Sequence, residues 1–581
     1  MIGFAADDYA QIAMMRGIYP VPRAPLSLFT FSDGSAAENR ALRDSGFFPW
    51  WSNPKLRIAM WRPLSSALMW FDLTLFDLDA FAYHLHSFVL WVVMLALFAL
   101  LLRGLLPPSV ALFTLALFAF DEAHALTLGW IAMRNAILAA VFALIALILR
   151  YRALEGDERE KRWPSLLAFA LALLSGEYAI AFVGYLLVLE LYHSRGARGR
   201  MLAVAPWAAM LVLYFAVRAA FGYGSYASGT YLNPFTETGD FLREASARLP
   251  MLAGELALGI RSDFWTSGFT WTLELVQLGF LPETFLIDLL PFRLMLQRIG
   301  LFGLVVFALI IAVAVRSEAG RRARFLFLGS PLALLPLLSP MPESRVLLPA
   351  IFGSSAAFVT FIYAAVSAWR SGTRRVRAGL GIALGVPLLI LQLVSGVYFG
   401  CYEVSFGPML ADAVRSSILD PKLDSPLLSA KRVLLFAAAD ATTSIYIPLA
   451  RKVLGRPAPK SAYLLTSTFA PHRLTRVKAS EFVLERLHSG YTTGDAYAST
   501  FNIRPLRAGQ RFSVDGMQVT VESVYRGRPM RTRFVLDLAL DDPRVLPLIE
   551  TTSGLRRVGI PAIGGSIDLP PPEIPVDLMR F

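Results

Sequence analysis

The chain has 581 residues, of which 56% are hydrophobic and only 17% are charged. Because globular domains average about 45–50% apolar and about 25% charged residues, this composition excludes a soluble enzyme, a disordered chain and a nucleic-acid-binding domain. The composition is typical of a polytopic membrane protein, in which the net charge of +12 is expected to lie mainly in cytoplasmic loops. Cys401 is the single cysteine, which excludes an intramolecular disulfide and a thiolate metal site.

Uncharged segments recur through the first 400 residues, and most approach the roughly 20 residues that a helix needs to cross a membrane. They predict about 10–12 transmembrane helices. The segments are 85–102, 104–120, 135–149, 163–175, 178–189, 201–217, 299–315, 325–342, 346–369 and 378–402. Residues 249–291 are ambiguous, since they could cross the membrane twice or lie in the interface.

The distribution of arginine predicts the orientation of these helices. Alternate loops are rich in arginine, as at Arg150, Arg316 and Arg370, and belong in the cytoplasm. The intervening turns are short and acidic, which places them outside. Met1 would then begin outside without a signal peptide, so we expect a further helix to precede it.

Three regions follow from this pattern. Residues 1–80 form a first extracytoplasmic loop, residues 81–403 a multi-pass domain, and residues 404–581 an extracytoplasmic α+β domain. In the last region we predict strands at 432–436, 462–466 and 533–540 and a helix at 444–454. A hairpin is predicted at 512–519, because Asp515-Gly516 is a strong turn signal.

Four ionisable residues are predicted to lie at one depth, near the outer face. Arg134 and Glu177 each lie 16 residues from a cytoplasmic end, or roughly 24 Å along a helix. His84 and Arg345 occupy the same level on two other helices. Such groups are costly in a membrane unless they pair or face a polar cavity, although helix-end residues also serve as interface anchors. A polar cavity there suits a substrate with an anionic head and a lipid tail.

Several motifs resemble those of GT-C glycosyltransferases, in particular the protein-mannosyltransferase (family 39-like) group. They occur in chain order between residues 4 and 349. They are the acidic FAADDY at 4–9, WRPL at 61–64, DEAH at 121–124 with WIAMRNAIL at 130–138, LSGE at 174–177 and PESRVLLP at 342–349.

The resemblance implies a multi-pass transferase of the cell (inner) membrane, which takes a sugar from a polyprenyl-phosphate donor to an extracytoplasmic acceptor. That acceptor could be a protein, a lipid or a glycan. Asp7 or Asp8 would act as general base, and the residues implied to hold the donor phosphate are Arg62, Arg134 and Arg345. The supporting polar residues would be His84, Glu122, His124, Glu177 and Glu343. A divalent metal held by Asp7, Asp8 and Glu122 is compatible with the sequence but not required by it.

Two other readings stay open from the residues alone. The chain could be a non-enzymatic transporter or flippase of envelope glycolipids, or a scaffold or pseudoenzyme that anchors the outer domain. Transporters bind near the bilayer midplane and often contain inverted repeats. The sequence has no visible repeat and its polar residues cluster at the outer level, which favours the enzyme.

Overall fold

The structure is a computed structural model of the full chain. It describes residues 3–572 except 157–161, 195, 263–289, 374, 419, 421–422, 424–427, 430, 439–440, 469, 491–494, 496–497 and 552–553. The ambiguous segment 249–291 therefore lies largely outside the described residues.

Helices dominate the first 418 residues. In chain order they are α1 (Asp7–Met15), α2 (Ala36–Asp44), α3 (Pro63–Phe76), α4 (Ala80–Leu105), α5 (Pro108–Ala119), α6 (Ala123–Gly129), α7 (Arg134–Glu155), α8 (Trp163–Ser175), α9 (Tyr178–His193), α10 (Gly196–Ala220), α11 (Thr238–Leu258), α12 (Leu290–Arg316), α13 (Arg324–Leu337), α14 (Leu348–Arg370) and α15 (Arg375–Ile418). Short 3₁₀ helices at Ile131–Met133 and Ser344–Leu347 lead into α7 and α14.

The described residues contain six helices that are long and apolar enough to cross a membrane. One further candidate is the pair α5 and α6, which bends by 54°, and α8 and α9 are shorter apolar helices. The chain is thus a multi-pass α-helical membrane protein, as the composition indicates, while the total of 10–12 crossings stays a prediction.

Two of the spanning segments are central and three are peripheral. The apolar windows at Ile131–Glu155 and Ser344–Arg370 are each 89% buried, whereas those of α10 and α15 are only 17% buried. A helix that is apolar all round must lie either within protein or against lipid. α7 and α14 therefore form the core of the bundle, and α4, α10 and α15 present apolar surfaces to the bilayer.

The segment before α4 packs against the C-terminal domain, which lies at the other end of the sequence. It holds α1, α2, α3 and the strands β1 (Thr30–Asp33) and β2 (Arg57–Ala59), which pair with β3 (Gly224–Tyr226) in one antiparallel sheet. Trp50 and Trp51 from this segment share one hydrophobic core with strands of the C-terminal domain. The two regions predicted as separate units at residues 1–80 and 404–581 are therefore packed together.

The C-terminal domain contains two sheets. Their strands are β4 (Arg432–Leu435), β5 (Ser461–Leu464), β6 (His472–Lys478), β7 (Glu481–Arg486), β8 (Arg511–Val514), β9 (Met517–Tyr525), β10 (Arg528–Leu536), β11 (Val545–Thr551), β12 (Gly554–Arg557) and β13 (Ser566–Leu569). One sheet is antiparallel in the order β13-β6-β7-β10-β9-β8, and the other is mixed in the order β12-β11-β4-β5.

Most of the local predictions for this domain are confirmed, but the strand expected at 533–540 is displaced and spans Arg528–Leu536. Strands β4 and β5 run parallel, and the helix α16 (Ala441–Val453) connects them as a crossover. The predicted hairpin is β8–β9, and Gly516 adopts a positive φ of 68° at its turn. This φ explains the glycine, because other residues rarely adopt it. α15 continues to Ile418, beyond the boundary expected at residue 403.

Candidate active site

The acidic pair lies at the first turn of α1. Ala6 precedes the helix with a φ of 40°, a left-handed conformation that is unfavourable for a residue with a Cβ atom. Strained backbone of this kind persists only where its surroundings hold it in place. Here the backbone N–H of Ala5 donates to Asp8 Oδ2 at 2.9 Å, so the turn folds around the Asp8 carboxylate.

Asp8 uses both of its carboxylate oxygens to hold backbone in place. Besides Ala5, the N–H of Ala132 donates to Asp8 Oδ1 at 2.8 Å. This contact fixes α1 against the 3₁₀ turn that precedes α7. Burial raises the pKa of Asp8 to about 7, although these two backbone hydrogen bonds oppose the shift. Asp8 therefore has a positioning role in this geometry.

Asp7 faces a different environment. Tyr446 on α16 donates its hydroxyl hydrogen bond to Asp7 Oδ1, so a residue of the C-terminal domain reaches this carboxylate. Burial raises the pKa of Asp7, while the hydrogen bond from Tyr446 and the positive charges of Arg345 and Arg62 act in the opposite direction. A buried carboxylate with a raised pKa, within the field of fixed cations, is suited to proton transfer.

Arg62 is one of those two cations. It immediately precedes Pro63, which is favoured at the first position of a helix, so α3 begins there and Arg62 sits at its N-cap. Its Nε lies 2.7 Å from Glu177 Oε2, and Arg218 Nη2 lies 3.4 Å from Glu177 Oε1. One carboxylate thus faces two guanidinium groups, which leaves an excess of positive charge around it.

Arg345 is the second cation, on the turn Ser344–Leu347 that opens α14. It pairs with Glu343 and lies 5.0 Å above the ring of Trp130. Among the described residues, the buried atoms Ser344 Oγ and Trp130 Nε1 have no hydrogen-bond partner. Buried polar atoms of this kind are uncommon and call for an explanation. As donors beside a guanidinium group, they could contact an anionic oxygen.

Tyrosines complete the surroundings of this cluster. Tyr178 and Tyr231 both interact electrostatically with Arg345 and Arg62. Tyr231 comes from the loop that follows β3 and pairs with Pro340, two residues before the motif PESR at 342–345. We call Asp7, Arg62, Arg345, Glu177 and Glu343 the charged cluster.

Arg134 has a different ion-pair partner from the other two arginines predicted to bind phosphate. It is 2% exposed and forms an ion pair with Asp72, and His86 Nδ1 lies 2.7 Å from the same carboxylate. Arg134 Nη2 also approaches Met69 Sδ at 3.5 Å. The charge of Arg134 is thus already balanced within the helical bundle, and its role toward phosphate stays a prediction.

Three predicted supporting residues lie outside the charged cluster. His84 bridges the carbonyl oxygens of Gly3 and Leu128, and His124 Nε2 lies 2.8 Å from the Phe118 carbonyl oxygen. Glu122 lines a small separate cavity near α11 and α15. Of the four residues predicted to share one depth, the structure brings Glu177 and Arg345 into the charged cluster.

The structure adds residues to the cluster that the sequence reasoning missed. The sequence contained a signal for Arg218. It is a cation at the predicted outer end of an apolar helix, where the positive-inside pattern does not predict one. The sequence contained no such signal for Tyr446, since it lies in an ordinary amphipathic helix of the C-terminal domain. In the parts of the chain that the structure describes, no group of three or more His, Cys, Asp or Glu side chains could hold a metal ion.

No family model and no curated protein matches this chain. Among solved structures, the chain is similar to the crystal structure of ArnT from Cupriavidus metallidurans bound to undecaprenyl phosphate. The match has 14% sequence identity and a TM-score of 0.35, and it covers 79% of this chain and 86% of that chain. A superposition this loose assigns no role to any residue.

Proposed function

We propose that this protein is a GT-C-type membrane glycosyltransferase, which transfers a sugar from a polyprenyl-phosphate donor to an acceptor on the outer side of the cell membrane. The observation that carries the proposal is the environment of Asp7, a buried carboxylate whose ionised form is stabilised by a hydrogen bond from Tyr446 and by the charges of Arg62 and Arg345. The motif resemblance at residues 4–9, 61–64 and 342–349 supports it, because those motifs supply Asp7, Arg62 and Arg345.

The proposed reaction needs one base and one anion site. An acceptor hydroxyl oxygen attacks the anomeric carbon of the donor sugar while the bond from that carbon to the phosphate oxygen breaks. The hydroxyl proton passes to Asp7, and the electron pair of the broken bond leaves with the polyprenyl phosphate. Negative charge therefore grows on the phosphate during the reaction.

The charged cluster fits these needs. Guanidinium groups bind phosphate oxygens in a forked geometry, and fixed charges stabilise a developing anion more in the transition state than in the ground state. We assign this role to Arg345 and Arg62. Ser344 Oγ and Trp130 Nε1 would add neutral donors to the same phosphate, which would account for their lack of partners among the described residues.

The first experiment compares Asp7→Asn with the control variant Asp568→Asn. Asp568 is exposed and pairs with Arg473 on the six-stranded antiparallel sheet. The full chain in lipid nanodiscs would first be analysed by mass spectrometry for co-purifying lipid, and turnover of that lipid-linked sugar would then be measured. Loss of a general base should lower turnover by about 10²–10⁴-fold in Asp7→Asn, with donor binding retained and the control unchanged. Full turnover in Asp7→Asn would remove the proposed base, and lipid translocation without sugar transfer would favour the flippase instead.

A further inference from the structure

A cavity of about 320 Å³ lies where the outer domain meets the membrane domain. This volume is at the lower end of the roughly 300–1,000 Å³ that small-molecule sites occupy. Its wall is built from the Trp50–Trp51 loop, α11, the turn at Met341–Pro342 and strands β7 and β10. None of these residues belongs to the charged cluster.

Two chain segments connect this cavity with the charged cluster. Gly229 lines the cavity, and Tyr231, two residues later, interacts electrostatically with Arg345. Pro342 also lines the cavity and is followed directly by Glu343. The backbone N–H of Met341 donates to the Thr230 carbonyl oxygen at 2.7 Å, which ties the two segments together. Two segments of the cavity wall therefore continue directly into segments that interact with, or belong to, the charged cluster.

The cavity wall contains buried polar atoms that lack partners. His472 and Arg486 are 3% and 5% exposed, and both line the cavity. Within the described part of the chain, His472 Nδ1 and Arg486 Nε have no hydrogen-bond partner. Burial, reinforced by the charge of Arg486, lowers the pKa of His472 to about 3, so its ring is neutral. Buried atoms without partners are costly, and these two lie beneath the cavity surface, out of contact with a ligand.

The charge of the wall indicates the sign of that ligand. Among the described lining residues, the cations outnumber the carboxylates by five to two. The cations are Arg248, Arg486, Arg504, Arg526 and Arg528, and the carboxylates are Glu244 and Asp495. Arg486 and Arg528 lie 3.0 and 3.7 Å from Asp495 Oδ1, so one carboxylate serves two guanidinium groups. The remaining positive charge favours an anion.

The remaining lining residues indicate a sugar. Trp51 is the most exposed of the three aromatic rings in the wall, and the C–H face of a sugar ring can pack on it. Thr466, Asn502 and Thr532 provide groups that donate and accept hydrogen bonds, as sugar hydroxyls require. An apolar wall with a few polar groups is the usual composition of a small-molecule site.

A basic groove continues from the cavity along the outer surface. It shares Asn502, Arg504 and Pro505 with the cavity wall. Its other described cations are Arg40, Arg43, Lys55, Arg507 and Arg511, opposite the carboxylates Asp44 and Asp515. A continuous path of positive charge attracts an extended anion more than a compact one.

We propose that the cavity and the groove bind an anionic saccharide, carrying carboxylate or phosphate groups, whose terminal sugar enters the cavity beside the charged cluster. This inference rests on the proposed function, in which that saccharide is the acceptor. It assigns the C-terminal domain the task of recognising the acceptor. Binding itself needs no donor, so it can be tested separately from sugar transfer.

The test measures binding of three soluble probes to the full chain in nanodiscs, by calorimetry and without donor. They are trigalacturonate, which carries carboxylates, glucose 6-phosphate, which carries a phosphate, and neutral maltotriose. We expect at least one anionic probe to bind tenfold or more tightly than maltotriose. Equal binding of all three probes, or binding of none, would overturn the inference.

The variants Arg504→Gln and Arg528→Gln should each weaken binding of the anionic probe about tenfold, because each removes a charged hydrogen-bond donor. Arg504 is exposed, so its replacement should leave folding intact. Arg473→Gln, at an exposed position on β6, is the matched control and should bind normally. Unchanged binding in both cavity variants would contradict the assignment.

Two further measurements distinguish this inference from its alternatives. Asp7→Asn should keep the preference for the anionic probe over maltotriose, even if sugar transfer fails, so the two proposals fail independently. Vesicles of phosphatidylglycerol should not displace trigalacturonate or glucose 6-phosphate. Displacement would mean that the cavity takes a phospholipid headgroup, and the saccharide assignment would be wrong.

Discussion

Tyr446 donates a hydrogen bond to Asp7 across 439 residues of sequence, and this contact joins the C-terminal domain to the first turn of α1. The hydroxyl group stabilises the ionised carboxylate. The C-terminal domain therefore influences the protonation of the proposed base. This relationship gives the domain a measurable effect on the chemistry.

Replacement of Tyr446 by Phe should raise the pKa of Asp7 further, because the ionised carboxylate loses a hydrogen bond while its burial stays. The acidic limb of the pH–rate profile should move to higher pH by about one unit, which corresponds to roughly 1.4 kcal/mol. Turnover of the co-purified lipid-linked sugar between pH 5 and pH 9 checks this. Tyr525→Phe, on an exposed strand end, is the control. A profile that does not move would show that Asp7 is not the titrating base.

Arg345→Gln should weaken binding of a short polyprenyl phosphate such as geranyl phosphate by about tenfold, because a charged donor to the phosphate is lost. Arg345→Lys should give an intermediate affinity, since lysine keeps the charge but not the planar fork. Calorimetric titration of the full chain in nanodiscs provides the measurement. Arg321→Gln, exposed and paired with Glu318, should bind normally. Equal affinities in Arg345→Gln and wild type would remove Arg345 from the phosphate site.

Arg134→Met should destabilise the protein by about 3–5 kcal/mol, because it leaves the fully buried Asp72 without its cation. The double variant Arg134→Met with Asp72→Leu should regain much of this stability, since no buried charge is then unpaired. Thermal unfolding in detergent reports both effects. A single variant that unfolds like wild type but binds geranyl phosphate weakly would instead place Arg134 at the phosphate.

Asp8 should make the protein more stable as the pH falls from about 7 to about 4. Its pKa in the folded protein is about 7, above its ordinary value of 3.8, so the folded state binds a proton that the unfolded state releases in this range. The stabilisation is complete below pH 4 and is lost as the pH rises through 7. Asp8→Asn cannot titrate, so its melting temperature should vary less with pH than that of wild type. Parallel curves for the two proteins would contradict the shifted pKa.

The acidic pair shows how much of the site the sequence predicts. The spacing of Asp7 and Asp8 marked the candidate base, but it could not separate the two carboxylates. The structure distinguishes them, because Asp8 accepts two backbone N–H groups whereas Asp7 accepts from Tyr446 and faces cations. Which backbone groups reach a side chain depends on the packing of α1 against the turn before α7, and no local pattern encodes this.

The four residues predicted at one depth illustrate the same limit. Helix rise predicts the height of Arg134 and Arg345 along their helices, but not the direction in which each side chain points. Arg345 meets Trp130 and Glu343, whereas Arg134 meets Asp72 from α3. The partner of a buried cation is a property of the helix neighbours, which are set by packing across the whole bundle.

The sequence alone determined that this is a multi-pass membrane protein with an α+β C-terminal domain, and it located the hairpin at Asp515-Gly516. These properties are local, since the length of an apolar run and the φ preference of a glycine do not depend on distant residues. Only the tertiary structure decided that Trp50 and Trp51 pack into the C-terminal domain, that Asp7 meets Tyr446, and that a cationic cavity lies between the two domains. Those contacts join residues hundreds of positions apart, and they form because buried charges and apolar rings must find partners that the neighbouring sequence does not supply.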